Sequence, residues 1–174
     1  ISLPDKMKEE VGYLMKGISD QRHQELVPED VYRIFEDNYI NEREIFDIPE
    51  CHFKQQKDGI TAEVTIEQNR DRRVIETSGH GRLDAVSNAV KLFFGISYEL
   101  SVYEEHAVSR GSSSKAAAYV GILCNGKMYW GVGIDEDIIK SSIAALVSAG
   151  NKMAKGENVK EGREERIMDI MRYI

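Results

Sequence analysis

Positive charge, cysteine, proline and long apolar runs are what this 174-residue sequence has little of. Lysine and arginine number 23 against 30 aspartates and glutamates, for a formal net charge of −7. That balance excludes the basic footprint a nucleic-acid partner demands and argues against an anionic membrane surface. No apolar run reaches the roughly 20 residues of a spanning helix, and no signal-peptide pattern opens the chain. The two cysteines, Cys51 and Cys124, lie far apart without CxxC spacing. They rule out a disulfide framework and read as reduced thiols of a cytoplasmic protein. The first residue is Ile1 rather than Met, as expected of a piece of a longer chain.

Reactive constellations are missing too. The soft metal ligands His23, Cys51, His52, His80, His106 and Cys124 are scattered, with no two-plus-two grouping for zinc. Ser112, Ser113 and Ser114 form no nucleophile elbow, and His106 has no acid partner at a fixed spacing.

What is present is period. Pro4 and Pro28 each stand at the opening of a helical pattern, where a missing N–H costs nothing. Met7, Val11, Leu14, Met15 and Ile18 recur at helical spacing, as do Val31, Ile34, Phe35 and Tyr39. Two helices within residues 3–40 bury little alone, so they are expected to pack on a missing N-terminal part or a second chain. From about residue 45 the period becomes two. Ile60, Ala62, Val64 and Ile66 alternate after the hairpin dipeptide Asp58-Gly59, and a polar turn at 69–71 leads to Val74 and Ile75. A helical face of Leu83, Val86, Val90, Phe93 and Phe94 then ends at Gly95.

The same order recurs. Tyr98, Leu100 and Val102 alternate; AAAYVGIL (116–123) makes a strand; Asn125-Gly126 is a hairpin signal; Met128, Trp130, Val132 and Ile134 alternate. A helix with Ile139, Ile143, Leu146 and Val147 follows and is expected to stop at Gly150. Aligning Gly95 with Gly150 gives two copies of one unit, about 45–95 and 97–150, offset by 55. The expected fold is α+β: two repeated βββα units side by side forming a sheet with helices packed on one face, preceded by a small helical linker subdomain. The other face is expected to need a partner. Boundaries fall at 1–43 for the helical subdomain, 44–153 for the repeated units, and 154–174 for a polar linker and C-terminal helix carrying Ile167, Ile170, Met171 and Ile174.

Two stretches invite a ligand. In SGHG (78–81), Gly79 and Gly81 let something approach the backbone where a helix begins. Residues 132–136 form the equivalent junction in the second unit. Taken alone, the glycines read first as an ordinary strand-to-helix turn. In YEEHAVSRGSSSKAAAYVG (103–121), consecutive alanines leave room for a small apolar ligand or for a close-packed sheet.

These stretches also carry a resemblance. GHGRLDAVSNAV, YEEHAVSRGSSSKAAAYV and YWGVGIDEDIIKSSIAALVSAGNK resemble the C-terminal regulatory domain of 2-isopropylmalate synthase over residues from about 45 to 152. LPDKMKEEV and EDVYRIFEDNYI resemble the linker subdomain that precedes it. The resemblance implies a homodimerising domain of two βββα units that binds leucine as a feedback inhibitor. It also implies a catalytic TIM barrel, with a divalent metal, that condenses acetyl-CoA with 2-oxoisovalerate. No part of this sequence matches that barrel, so the chain alone is expected to be non-catalytic and to hold no cofactor. Carried over by motif, the effector pocket comprises Gly79, His80, Gly81, Leu83 and Asp84 at the first helix start. Leu100, Tyr103, Ala107, Ser114 and Ala116 form the strand and loop wall, and Ile134, Asp135 and Glu136 the second helix start. Leucine's carboxylate would sit at one or both helix starts, its ammonium on loop carbonyls, Asp84 or Asp135, and its isobutyl group among Leu83, Tyr103, Ala107 and Ala116. The alternatives are an isoleucine-sensing domain of a citramalate synthase and a dimerisation module that senses nothing.

Overall fold

A computed structural model describes residues 2–110, 113–159, 161, 162 and 171. Two helices come first, α1 (Asp5–Arg22) and α2 (Pro28–Tyr39). Three strands follow, β1 (Asp47–Gln56), β2 (Gly59–Gln68) and β3 (Asp71–Gly79), and then α3 (Arg82–Phe94). The pattern repeats as β4 (Glu99–Arg110), β5 (Ser113–Cys124), β6 (Lys127–Asp135) and α4 (Ile138–Gly156). The α+β class and the βββα repeat are as the periodicity indicates.

The strands form two separate three-stranded antiparallel sheets, β1-β2-β3 and β4-β5-β6, one from each unit. They are separate because β3 runs into α3, which covers the inner face of the first sheet, before β4 begins a new ladder. The inner faces of both sheets and the apolar faces of α3 and α4 share one core, with Val64, Phe94, Val120 and Leu146 fully buried in it. Phe46, Phe93 and Phe94 meet edge to face there.

Tight turns set the register. Asn69 and Arg70 between β2 and β3 both have positive φ, as do Asn125 and Gly126 between β5 and β6. This is the paired left-handed geometry that suits strand twist in two-residue hairpins. The strands β3 and β6 begin at 71 and 127 and the helices at 82 and 138, so the true repeat offset is 56. The expected 55 is one residue off, and in a strand that flips the face. At 55, inward Ile75 fell on outward Trp130; at 56 it falls on inward Gly131.

The error came from matching two glycines that exist for different reasons. Gly95 caps α3 with φ 63°. Gly150 lies inside α4, where a Cβ would come within 2.8 Å of the Phe46 ring, so the helix passes it and runs to Gly156. The described residues of the stretch expected as a polar linker, 154–159, 161 and 162, include ones docked on the fold. Ala154 is buried, Val159 packs on the core, and the Gly162 N–H donates to the Gln68 side chain at 2.8 Å. The expected C-terminal helix lies outside the described residues apart from Met171.

Helices α1 and α2 find a packing partner within their own chain, which the sequence reading did not foresee. They cover the outer face of the second sheet. Met7, Val11, Phe35 and Tyr39 close a second core over Ala117, Tyr119, Trp130 and Val132. This explains why AAAYVGIL lacks alternation: β5 is buried on both faces. The partner expected for the other face is thus present within the chain for one sheet. The outer face of the first sheet stays polar, with His52, Lys54, Glu63 and Glu76 exposed.

Candidate functional site

The two units bring the first turns of α3 and α4 to the same cleft. It encloses about 360 Å³ between Gly81, Arg82, Leu83 and Asp84 of α3, Leu100, Tyr103 and Glu105 of β4, and Ile138, Ile139 and Ser142 of α4. That volume suits one small molecule. Leu100 and Tyr103 are three apart and would point to opposite faces of a regular strand. A register shift between Leu100 and Val102 turns both toward the cleft side of the sheet.

The two helix starts differ in chemistry. Asp137 caps α4, its Oδ1 accepting from the N–H groups of Ile139 at 2.8 Å and Lys140 at 3.2 Å. The N-terminal donors of α4 are therefore served by the chain's own carboxylate. Gly81 caps α3 in extended geometry, and no side chain accepts from the helix N–H groups behind it. The α3 start offers the orphan donors and partial positive charge that suit an anion.

Polar groups span the cleft. The Tyr103 and Ser142 hydroxyls share a hydrogen bond at 2.6 Å, and Ser142 Oγ lies within donating distance of Glu105 Oε1 at 2.8 Å and of the Ile138 carbonyl at 2.9 Å. Asp84 is held by the His80 N–H, which donates to its Oδ2 at 2.8 Å. Leu83, Leu100, Ile138 and Ile139 supply the apolar wall.

Of the thirteen residues carried over by motif, Gly81, Leu83, Asp84, Leu100 and Tyr103 come together in this cleft. Gly79 and His80 lie just before it. Gly79 is glycine for packing: a Cβ would fall 2.5 Å from the Ala85 backbone nitrogen, whereas one on Gly81 would meet open space. Ala107, Ala116 and Asp135 form one cross-strand row. That row is one step beyond the row of Glu105, Ala118 and Gly133, at the edge of the cleft. Asp135 is engaged by the Asp137 N–H at 2.9 Å. Ser114 and Glu136 are exposed beyond this row, and Ile134 faces the second core on the opposite side of the sheet.

Glu105, Ile138, Ile139 and Ser142 were not assigned to the pocket from the sequence. The correct offset of 56 would have found two of them, since it sets Ile138 and Ile139 opposite Arg82 and Leu83. Glu105 and Ser142 meet only through the fold. Among the described residues, no group of three or more His, Cys, Asp or Glu side chains converges as metal ligands do.

Residues 25–154 match the family described as the LeuA allosteric (dimerisation) domain. The chain belongs to that family. It is 42 % identical over 156 residues to a 2-isopropylmalate synthase of Desulfitobacterium hafniense, an alignment covering 89 % of this chain and 28 % of the relative. A 2-isopropylmalate synthase of Helicobacter hepaticus is 35 % identical over 161 residues, 88 % of this chain and 29 % of that relative. One from Schizosaccharomyces pombe is 31 % identical over 163 residues, covering 89 % and 28 %. The chain thus spans under a third of the length of these relatives. This LeuA-type domain corresponds to a regulatory part of such enzymes. No helix among its described residues is long and apolar enough to cross a membrane.

Proposed function

We propose that this LeuA-type domain is the effector-sensing, dimerising part of a 2-isopropylmalate synthase, with L-leucine binding in the α3–α4 cleft. In the full-length protein it would restrain the condensation of acetyl-CoA with 2-oxoisovalerate by a metal-dependent barrel; alone it catalyses nothing. The observation that carries the reading is the combination within one cleft of an uncapped helix start, a carboxylate and a branched apolar wall. Leucine is a zwitterion with a branched tail and needs all three. Its carboxylate goes to the α3 N–H groups behind Gly81, its ammonium to Glu105, and its isobutyl group among Leu83, Leu100, Ile138 and Ile139. The α4 start, already served by Asp137, is left out of carboxylate binding.

Calorimetric titration of the folded dimer with L-leucine, L-isoleucine and L-valine tests this. Leucine should bind tightest, and a misplaced methyl group should cost roughly 1–3 kcal/mol. A preference for isoleucine would move the domain to a citramalate synthase. No binding by a folded dimer would leave a pure assembly module.

A further inference from the structure

The cleft explains where an effector binds and leaves open how the rest of the molecule learns of it. The chain between α2 and β1, residues 40–46, is held to the second unit by a backbone bond from the Asn41 N–H to the Val132 carbonyl on β6 at 3.0 Å and, along the rest of its length, by side chains of α4. Asn151, fully buried, is the centre of this clamp. Its Oδ1 accepts from the N–H groups of Ile45 at 2.6 Å and Phe46 at 3.0 Å. Its Nδ2 faces the carbonyls of Glu42 at 3.1 Å, Phe46 at 2.9 Å and, within the helix, Val147 at 2.8 Å. The amide uses both lone pairs and both hydrogens on the backbone, so its orientation is fixed.

One turn earlier, Ser148 donates to the Tyr39 carbonyl at 2.8 Å and accepts from the Glu42 N–H at 3.2 Å. One turn later, Lys155 pairs with Glu42 and Glu44. Lys152 lies 3.5 Å over the Tyr39 ring, and the Tyr39 hydroxyl donates to Glu10 of α1 at 2.8 Å. One helix therefore touches the cleft with Ile138, Ile139 and Ser142 and grips the ends of α2 and β1 farther along. Ser142 and Asn151 are nine residues apart, about 14 Å along the axis.

The helix also rests on β6 without an intervening layer of side chains. A Cβ at Gly131 would lie 2.2 Å from the Ala149 nitrogen, and one at Gly133 only 2.0 Å from the Ser141 oxygen. Backbone against backbone leaves little soft packing to absorb a displacement of α4.

We propose that the α4 clamp on residues 40–46, centred on Asn151, relays occupancy of the cleft to the α1–α2 pair. A molecule wedged between the first turns of α3 and α4 changes their separation. The shift of α4 reaches α2 through Ser148 and Lys152, and α1 through the Tyr39–Glu10 bond. The relay rests on the leucine reading of the cleft. It requires that the ligand prefer one setting of α4 over another.

Hydrogen exchange of this chain with and without L-leucine, alongside calorimetry, tests the relay in Ser148→Ala, which keeps the helix, and in Asn151→Leu. In the parent chain, leucine should slow exchange severalfold in residues 28–39 as well as in 138–142. Each variant should bind leucine within threefold of the parent while losing at least half of the slowing in 28–39. Leucine bound to the parent with no change in 28–39, or variants that pass the effect undiminished, would overturn the relay and leave the cleft reading intact. No branched-chain amino acid bound by the parent would overturn both.

Discussion

The two βββα units share the geometry of their second hairpin and an offset of 56 from there to the helix start, yet they differ at the outer face of the sheet and at the start of the helix. The first sheet is one-sided. Its outer face is solvated, and Val74 there is 61 % exposed. The second is two-sided, and Trp130, the position equivalent to Val74, is 2 % exposed beneath α1 and α2. In the first unit the helix start is open at Gly81; in the second it is closed by Asp137. One copy of the repeat thus anchors the helical pair, and the other leaves its helix start without a side-chain cap. The cleft formed where the two meet takes an uncapped helix start from one copy and a helix capped by its own carboxylate from the other.

The largest test of this asymmetry is a matched pair of truncations. Trp130→Ala should cost about 3–5 kcal/mol in urea unfolding, because a large side chain leaves the second core. Val74→Ala should change stability by less than about 0.5 kcal/mol. Equal costs would mean that the helical pair does not depend on the second sheet.

A smaller difference concerns charge at the seam. Lys152 is pushed down to about 8, chiefly by burial, with Glu10 and Glu42 opposing the shift. A lysine whose folded pKa is depressed keeps fewer protons in the folded than in the unfolded state between pH 8 and its ordinary value near 10.5. Stability from this group therefore rises across that window. Relative to Lys152→Met, the parent should gain about 1–2 kcal/mol from pH 8 to pH 10, less whatever the Tyr39 ring contact returns to the charged form. The equivalent position in the first unit is Ile96, which carries no such charge.

The smallest stability effects come from exchanging the caps. Asp137→Ala should cost about 1 kcal/mol, whereas Gly81→Asp should be neutral or stabilising by a few tenths, since Gly81 is extended and a Cβ there meets open space. Asp137→Ala should leave leucine affinity within threefold of the parent.

These contrasts show which parts were legible in the sequence. Ile60, Ala62, Val64 and Ile66 alternate with polar residues because only one face of β2 meets the apolar core, so period two was plain. The end of α3 was plain because Gly95 serves the one purpose glycine serves there, a left-handed cap. The end of α4 was not, because Gly150 makes room for Phe46, more than a hundred residues away in sequence. That long-range cause shifted the repeat by one residue and hid the correspondence between the two helix starts. The pocket was legible where it follows a local turn, at Gly81, Leu83 and Asp84. Leu100 and Tyr103, which a bulge turns to one side, came only from the resemblance. The cleft was hidden where it needs a contact across sheet and helix: Glu105 and Ser142 meet 37 positions apart. Packing of α1 and α2 on the second sheet was missed for the same reason, although the unbroken apolar run of β5 already required cover on both faces.

The most direct measurement is calorimetric titration of L-leucine into the parent chain and into Gly81→Asp, with both shown to be folded dimers. The added carboxylate should cap α3 as Asp137 caps α4, and so compete for the donors assigned to the ligand. The account predicts leucine binding by the parent and at least a tenfold loss in Gly81→Asp, without loss of stability. Binding unchanged by that substitution would contradict the claim that the open start of α3 holds the effector.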